Sequence, residues 1–428
     1  MMAAFRRIPG ELVLFICLNI ANTSNYLFQV VMGRELGPSS YGLLATVIAL
    51  VNVATIASIG LQTGSAKAIA SRTEPAPPLR HASDDPFTRT VVLGGAVLTV
   101  LFAVAAPAIA LFLHANVGPA LVVAAAIIPA GLLALAQGRF QGLHRLHAYA
   151  VLALLVAGLR LLLGPIAVAL GTGVTGAGMA VAVAAVLGSL WALHRSLDAG
   201  AVSTQLVGRD VIRGALAFVA FWLLVSADIV VARHYLSGPV SGQYGVASVM
   251  GKAVLWLPAA IAIALFPKVV RDESTGESSR GSLVRALLVT LGLGIVGVAG
   301  LVILGPYVIP LFFGHKYQFA STFAWQIGLA CIPFALANLL IYYHLATKGR
   351  WLPAALAVAA VVEFGAMAIL HQNVHQIAFG LGLGGLVLCA GLLLMAFLHP
   401  ASGRAGTDKV SDEDLLAAAV AEQELTSV

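Results

Sequence analysis

The chain has 428 residues, of which 60% are hydrophobic and only 10% charged, and its formal net charge is +6. An ordinary soluble domain carries roughly 25% charged residues. So few charges cannot cover a water-facing surface, which excludes a soluble enzyme or binding domain and makes the bilayer the solvent of most side chains. The basic residues are scattered over short loops rather than gathered into a patch, so nucleic acid is not an expected partner.

In chain order, Arg6 and Arg7 precede an apolar stretch that runs from Glu11 to about Met32. That is too long for the h-region of a signal peptide, roughly 7–15 residues, and no small-residue cleavage site closes it. It reads as the first membrane span. Further spans are predicted at 41–62, 90–113, 119–138, 148–170 and 177–194, then at 214–235, 242–266, 283–313, 318–346, 352–370 and 376–398. Each is long enough to cross, since a crossing takes about 20 residues at ~1.5 Å per residue. Alanine, glycine and leucine dominate, as close packing of membrane helices favours. No alternation of the β-barrel kind is present, so the fold class is an all-α polytopic membrane protein with about twelve transmembrane helices. Cys17, Cys331 and Cys389 lie far apart within these apolar runs and read as small hydrophobes.

The positive-inside rule tests that count. With the N-terminus in the cytoplasm, 19 of the 24 Lys and Arg fall in inner segments. Only Arg34, Arg233 and Lys316 fall at outer ends, and Arg160 and Lys252 lie within spans. An error in the span count would scramble this alternation from the error onward, so both termini are expected in the cytoplasm. The outer loops are very short, the inner ones Thr63–Arg89 and Lys268–Ser282 are longer, and the polar, acidic tail after Pro400 reads as solvated.

A motif recurs. Arg34-Glu-Leu-Gly-Pro-Ser-Ser-Tyr-Gly42 joins spans one and two, and Arg233-His-Tyr-Leu-Ser-Gly-Pro-Val-Ser-Gly-Gln-Tyr-Gly245 joins spans seven and eight. Six spans separate the copies, an even number, so both have one orientation and the chain reads as a parallel repeat. The expected organisation is a six-helix lobe over 1–195, a cytoplasmic linker over 196–213, a second six-helix lobe over 214–398 and a tail over 399–428.

At Gly33-Arg34-x-Leu-Gly-Pro-x-x-Tyr-Gly42, Gly138-Arg-Phe-Gln-Gly-Leu-His-Arg145, and Ser226-Ala-Asp228 with Arg233 and Tyr244-Gly245, the chain resembles the multidrug/oligosaccharidyl-lipid/polysaccharide flippase superfamily. Within it the chain is most similar to the O-unit flippase type of polysaccharide transporter, over about residues 10–398. The resemblance implies two six-helix lobes of the kind seen in multidrug and toxin extrusion (MATE) transporters, alternating access, and no enzyme activity. It also implies a cargo of oligosaccharide linked to undecaprenyl diphosphate and a place in the bacterial inner membrane. A polysaccharide polymerase and glycosyltransferases are the candidate partners, beside the membrane lipids.

A charge inside the bilayer is costly and so invites a functional reading. Arg160 in span five and Lys252 in span eight, with Arg34 and Arg233, are the expected cationic lining for a diphosphate head group, whose delocalised charge suits guanidinium and ammonium groups. Asn22 and Asn25, three residues apart on one face of span one, with Gln29 a turn further, are candidates for sugar hydroxyls or for helix–helix contacts. Asp228 and Glu363 are the carboxylates within spans; they are candidates for a coupling ion, proton or sodium, or for structural pairing. Glu363 stands in span eleven roughly where Arg160 stands in span five. No other cofactor is expected, and His371-x-x-x-His375 lacks a third metal ligand. Pro129, Pro258 and Pro333 are candidate bending points.

Two other readings compete. A drug or cation antiporter of the same fold would need more membrane carboxylates. A membrane sugar polymerase or glycosyltransferase would need a substantial outer loop to hold acceptor and base, and no Walker loop supports direct coupling to ATP hydrolysis.

Overall fold

The computed structural model describes residues 10–56, 58–70, 72, 76–202, 209–256, 280–346 and 351–398. Arg6, Arg7, Pro258, Lys348, Arg350, most of the loop Lys268–Ser282, part of the expected linker (203–208) and the tail after Leu398 lie outside the described residues. All regular structure among those described is helical: α1 Gly10–Ile56, α2 Ser58–Ala70, α3 Pro86–Phe112, α4 Val117–Gly142, α5 Leu146–Ala169, α6 Gly173–Arg195, α7 Arg209–Tyr235, α8 Gly238–Trp256, α9 Arg280–Phe313, α10 Gln318–Ala346, α11 Leu352–Ile369 and α12 Val374–Leu398, with short 3₁₀ turns between some of them. Among the described residues, ten stretches are long and apolar enough to cross a membrane.

The first of these stretches, Leu12–Ala70, holds two of the expected spans, because α1 is two helical limbs broken at Gly37. Gly37 has φ 73° and ψ 169°, a backbone conformation that side-chain-bearing residues avoid, and Pro38 follows with no N–H to continue the ladder. The Gly-Pro of the repeated motif is therefore the physical break between spans one and two. Elsewhere several short turns come from left-handed residues closing helix ends. His114, His144 and Gly171 have φ of 50°, 53° and 80°. In each case the next residue's N–H reaches back to a carbonyl five positions earlier: Ala115 to Ala110, Arg145 to Phe140, Thr172 to Ala167. These are Schellman closures, which satisfy the last carbonyls without further chain.

The chain forms two compact units. Among the described residues, the first contains the chain up to Leu36 together with Leu50–Ala215, and the second contains Gly37–Ala49 and the chain from Leu216 to Leu398. The second unit thus includes a segment from the middle of α1, between two stretches of the first. Inside the first unit α4 packs against α2, α3 and α6, and α5 packs against α6. Inside the second, α10 packs against α8, α9 and α12, and α11 packs against α12. The same four pairings recur six helices later, the structural counterpart of the repeated motif. In both units the third helix of the set is the most exposed. Only 11% of the apolar window of α3 and 17% of that of α9 is buried, and Leu93, Val97, Val104, Val296 and Ile303 stand outward where acyl chains would meet them.

Glycine permits the tightest crossings. A Cβ on Gly138 of α4 would come 2.2 Å from the Gln62 carbonyl oxygen of α2, and one on Gly188 of α6 would come 2.4 Å from Val156 of α5. In the second unit the two copies of the repeated motif pack on each other. A Cβ on Gly242 would lie 1.8 Å from the Pro38 carbonyl oxygen, and one on Gly42 would lie 2.7 Å from the Gly242 nitrogen. Tyr41 and Tyr244, the tyrosines of the two Tyr-Gly pairs, are fully buried. Because backbone meets backbone at this crossing, Gly242→Leu is expected to force the helices apart and destabilise the protein by ~1–3 kcal/mol or more. Thermal melting of the purified variant checks this, and an unchanged midpoint would show that the crossing yields without cost.

Candidate functional site

The first unit holds an open cleft of about 970 Å³, the solvent at its mouth included, walled by α1, α2, α4, α5 and α6. Most of its wall is alanine, leucine and valine, which gives a low-dielectric surround. Into it project Asn22, Asn25, Thr55, Gln62, Gln137 and Arg160. No carboxylate and no second cation is among the lining residues.

Arg160 is 2% exposed. Its Nη1 makes a long contact, 3.4 Å, to the Asn25 side-chain oxygen, and its guanidinium carbon lies 4.6 Å from the centre of the Phe28 ring. Its Nε and Nη2 have no hydrogen-bond partner, nor does the side-chain oxygen of Asn22. A buried charge is ordinarily paired, because removing it from water costs several kcal/mol. Here the compensation is one amide and one ring face. The two asparagines predicted from span one therefore share a cleft with Arg160, and Asn25 touches it. Gln62, anchored by its hydrogen bond to the Tyr149 hydroxyl at 2.9 Å, was not singled out in the sequence, because it sits near the inner end of span two where polar residues are unremarkable.

Lys252 is placed differently. Its Nζ lies 2.7 Å from Asp228 Oδ1 inside the second unit. Asp228 has no exposed surface, and its other oxygen accepts from the Tyr244 hydroxyl and the Ser248 hydroxyl, both at 3.2 Å. Lys252, expected as a cation for an anionic cargo, thus has a counter-ion supplied by α7. The sequence concealed this because the two residues are far apart along separate spans, and only the helix pairing brings them together. Glu363 of α11 is also fully buried, packed against Gly384 of α12, where a Cβ would come 2.2 Å from Glu363 Oε2. Neither of its oxygens has a hydrogen-bond partner, and it lies within electrostatic reach of Asp228 and Lys252. Within the second unit, Asp228, Lys252 and Glu363 thus bring two carboxyl groups and one ammonium near one another.

Arg34 is exposed at the end of the first limb of α1. Arg233 is 9% exposed and reaches the Ser39 carbonyl at 3.5 Å and the Ser241 hydroxyl at 3.4 Å. It belongs to the crossing of the repeated motifs, and neither arginine is among the residues lining the cleft with Arg160. His371 stacks on Tyr235, and His375 contacts Gln326, so each histidine of the spaced pair is engaged by a different neighbour.

A further charged centre was not foreseen. At the start of α3 in the first unit, Asp85 caps the helix through the Thr88 N–H at 3.1 Å and accepts from Arg139 Nη2 at 2.7 Å and from the Val202 N–H at 2.8 Å. Both Asp85 and Arg139 have 0% exposure. Arg72 donates to the carbonyls of Ala199 and Ala201, and Arg145 pairs with Asp198. Residues 196–202, the start of the connection to α7, are held by these groups. Asp85-Pro86 is a helix-start signature, with a capping acid followed by proline at the first position, and that local signal was there to be read.

Residues 12–267, more than half of the chain, match the family profile described as polysaccharide biosynthesis protein. The chain belongs to this family, within the multidrug/oligosaccharidyl-lipid/polysaccharide superfamily. No curated protein sequence matches it. Among solved structures it is similar to an inward-facing MATE family multidrug resistance transporter of that superfamily, with a TM-score of 0.69 and 17% identity over 89% of this chain and 96% of that one. It is similar to the lipid II flippase MurJ in an inward closed conformation, also at 0.69, with 14% identity over 90% of this chain and 87% of that one. A eukaryotic MATE transporter matches at 0.59 with 15% identity, covering 91% and 97%. At these identities the likeness establishes the fold. This member of the polysaccharide biosynthesis family is an all-α polytopic membrane protein of the MATE fold.

Proposed function

We propose that this protein is a flippase that carries a lipid-linked oligosaccharide, on undecaprenyl diphosphate, across the bacterial inner membrane for surface polysaccharide biosynthesis. The observation that carries the reading is Arg160: a buried cation with unpartnered donors in a cleft that contains no carboxylate. Such a site suits an anionic head group and repels an organic cation, which weighs against the antiporter. Asn22, Asn25, Gln62 and Gln137 add amide groups that match sugar hydroxyls. The family's description and the printed name of the lipid II flippase support the same class of cargo. The polyprenyl tail stays in the lipid while the head group passes by alternating access. Both termini face the cytoplasm, as the distribution of Lys and Arg supports. The polymerase and glycosyltransferases of the same polysaccharide are the partners in the cell. The test is movement of a fluorescent undecaprenyl-diphosphate oligosaccharide in proteoliposomes, scored by an external sugar-modifying enzyme. Gradient-driven uptake of an organic cation, with no movement of any lipid-linked sugar, would return the antiporter.

The Asp228–Lys252–Glu363 cluster is the proposed coupling site, taking up and releasing a proton or a sodium ion as Lys252 and Tyr244 hold Asp228. Glu363→Gln removes the ionisable carboxyl at nearly constant volume. It is expected to leave transport insensitive to an imposed proton or sodium gradient, with at least a tenfold loss of gradient stimulation. Stimulation equal to that of the parent protein would make Glu363 structural.

A further inference from the structure

We propose that one edge of Arg160, the pair Nε and Nη2, is a bidentate receptor for a single oxyanion in the cargo head, either a sugar carboxylate or a phosphate. This inference rests on the transport reading and names what the cleft recognises. Nε–H and Nη2–H are the two parallel donors with which a guanidinium grips one carboxylate or phosphate side-on. They are the nitrogens of Arg160 that lack partners. The rest of the group is held. Nη1 contacts Asn25, and the Phe28 ring lies under the guanidinium at 4.6 Å. Gly164, one turn along α5, gives that ring its seat, since a Cβ there would come 2.5 Å from the Phe28 ring carbon Cε2. Gly164, Phe28 and Arg160 therefore form a stack that fixes the plane of the fork before any ligand arrives. The edge is covered by its neighbours in this structure, so the oxyanion reaches it by displacing side chains of the cleft wall.

The charge count limits the ligand to one negative charge at this point. Among the described residues, Arg160 is the one cation lining the cleft, and Lys252 is paired with Asp228 within the second unit. A second negative charge against walls of alanine, leucine and valine would be desolvated without a partner, which is strongly unfavourable. Asn22 contributes a side-chain oxygen with no partner, one helical turn before Asn25 on the same face. It is an acceptor for a hydroxyl. The recognised element is therefore an oxyanion next to a hydroxyl, which fits an acidic sugar ring or a phosphate at the sugar's reducing end.

The experiment is equilibrium binding to the full chain in detergent. The probes are a glucuronate-containing disaccharide, the same disaccharide without its carboxylate, and that neutral disaccharide carrying a methyl phosphodiester at its reducing end. At least one oxyanion probe is expected to bind ten times more tightly than the neutral disaccharide, and which one does identifies the source. Arg160→Lys keeps the charge but loses the fork, so it is expected to lose that tenfold preference as fully as Arg160→Met. Phe28→Leu, which leaves the charge and frees its plane, is expected to weaken binding severalfold. Wild-type affinity in Arg160→Lys, or no preference for either oxyanion over the neutral sugar, would overturn the proposal. Arg160-dependent binding without movement of any lipid-linked sugar would instead sink the transport reading and leave the receptor standing. Movement of lipid-linked sugar that is indifferent to Arg160→Lys would do the reverse.

Discussion

Arg160→Met is expected to reduce movement of the lipid-linked cargo by at least a hundredfold while raising the melting temperature of the protein. The two effects go together because the charge is maintained at a cost. A buried guanidinium at 2% exposure, with Nε and Nη2 unpartnered, destabilises the folded chain relative to an apolar side chain of similar length. Methionine fills the same volume, packs against Phe28 and leaves no unsatisfied donor. For a chain of this size, a gain of about 1 kcal/mol raises the midpoint by ~1–3 °C. A residue kept for stability would behave in the opposite way. Loss of transport with a lowered midpoint would mean that Arg160 holds the helices together and that the cleft has another purpose. Thermal melting and the proteoliposome assay on one preparation separate the two cases.

Arg139→Met is expected to fail in stability first. Arg139 and Asp85 are both fully buried, 2.7 Å apart, and removing the cation strands a carboxylate that also caps α3 and receives the Val202 N–H. Breaking one side of a buried pair costs about 3–5 kcal/mol. The melting midpoint should fall well below that of the parent, and limited proteolysis should open the chain within 196–202, where Asp85, Arg72 and Arg145 hold it. Asp85→Asn combined with Arg139→Met removes both charges, so the double variant should recover part of the loss, and the double-mutant cycle gives the coupling directly. A single Arg139→Met variant that melts with the parent would show that the pair contributes little and that 196–202 is held by the backbone contact between Leu79 and Leu197.

Arg160 and Arg139 show how far the sequence could be read. Both are arginines in apolar helices of the first unit, but Arg139 has a carboxylate at 2.7 Å, whereas no described acid pairs with Arg160. The bilayer constraint made the spans legible, because backbone groups in lipid allow little besides helices and a crossing has a fixed length. The break at Gly37-Pro38 was legible as well, since glycine followed by proline punctuates a helix whatever surrounds it. Arg160 stood out for the same reason that lipid excludes charge. Pairing between helices was not legible. Nothing local tells Lys252 that Asp228 lies within 2.7 Å, or places Glu363 near both, because those neighbours are set by which helix faces which. The same limit hid the grip of Asp85 on Val202, which joins residues 117 positions apart.

The most direct test of the account is the fluorescent undecaprenyl-diphosphate oligosaccharide assay in proteoliposomes, run on the parent protein beside Arg160→Met. The account predicts protein-dependent appearance of the sugar on the opposite face and its loss in the variant. Equal movement by both proteins, or none by either while an organic cation is taken up, would contradict it.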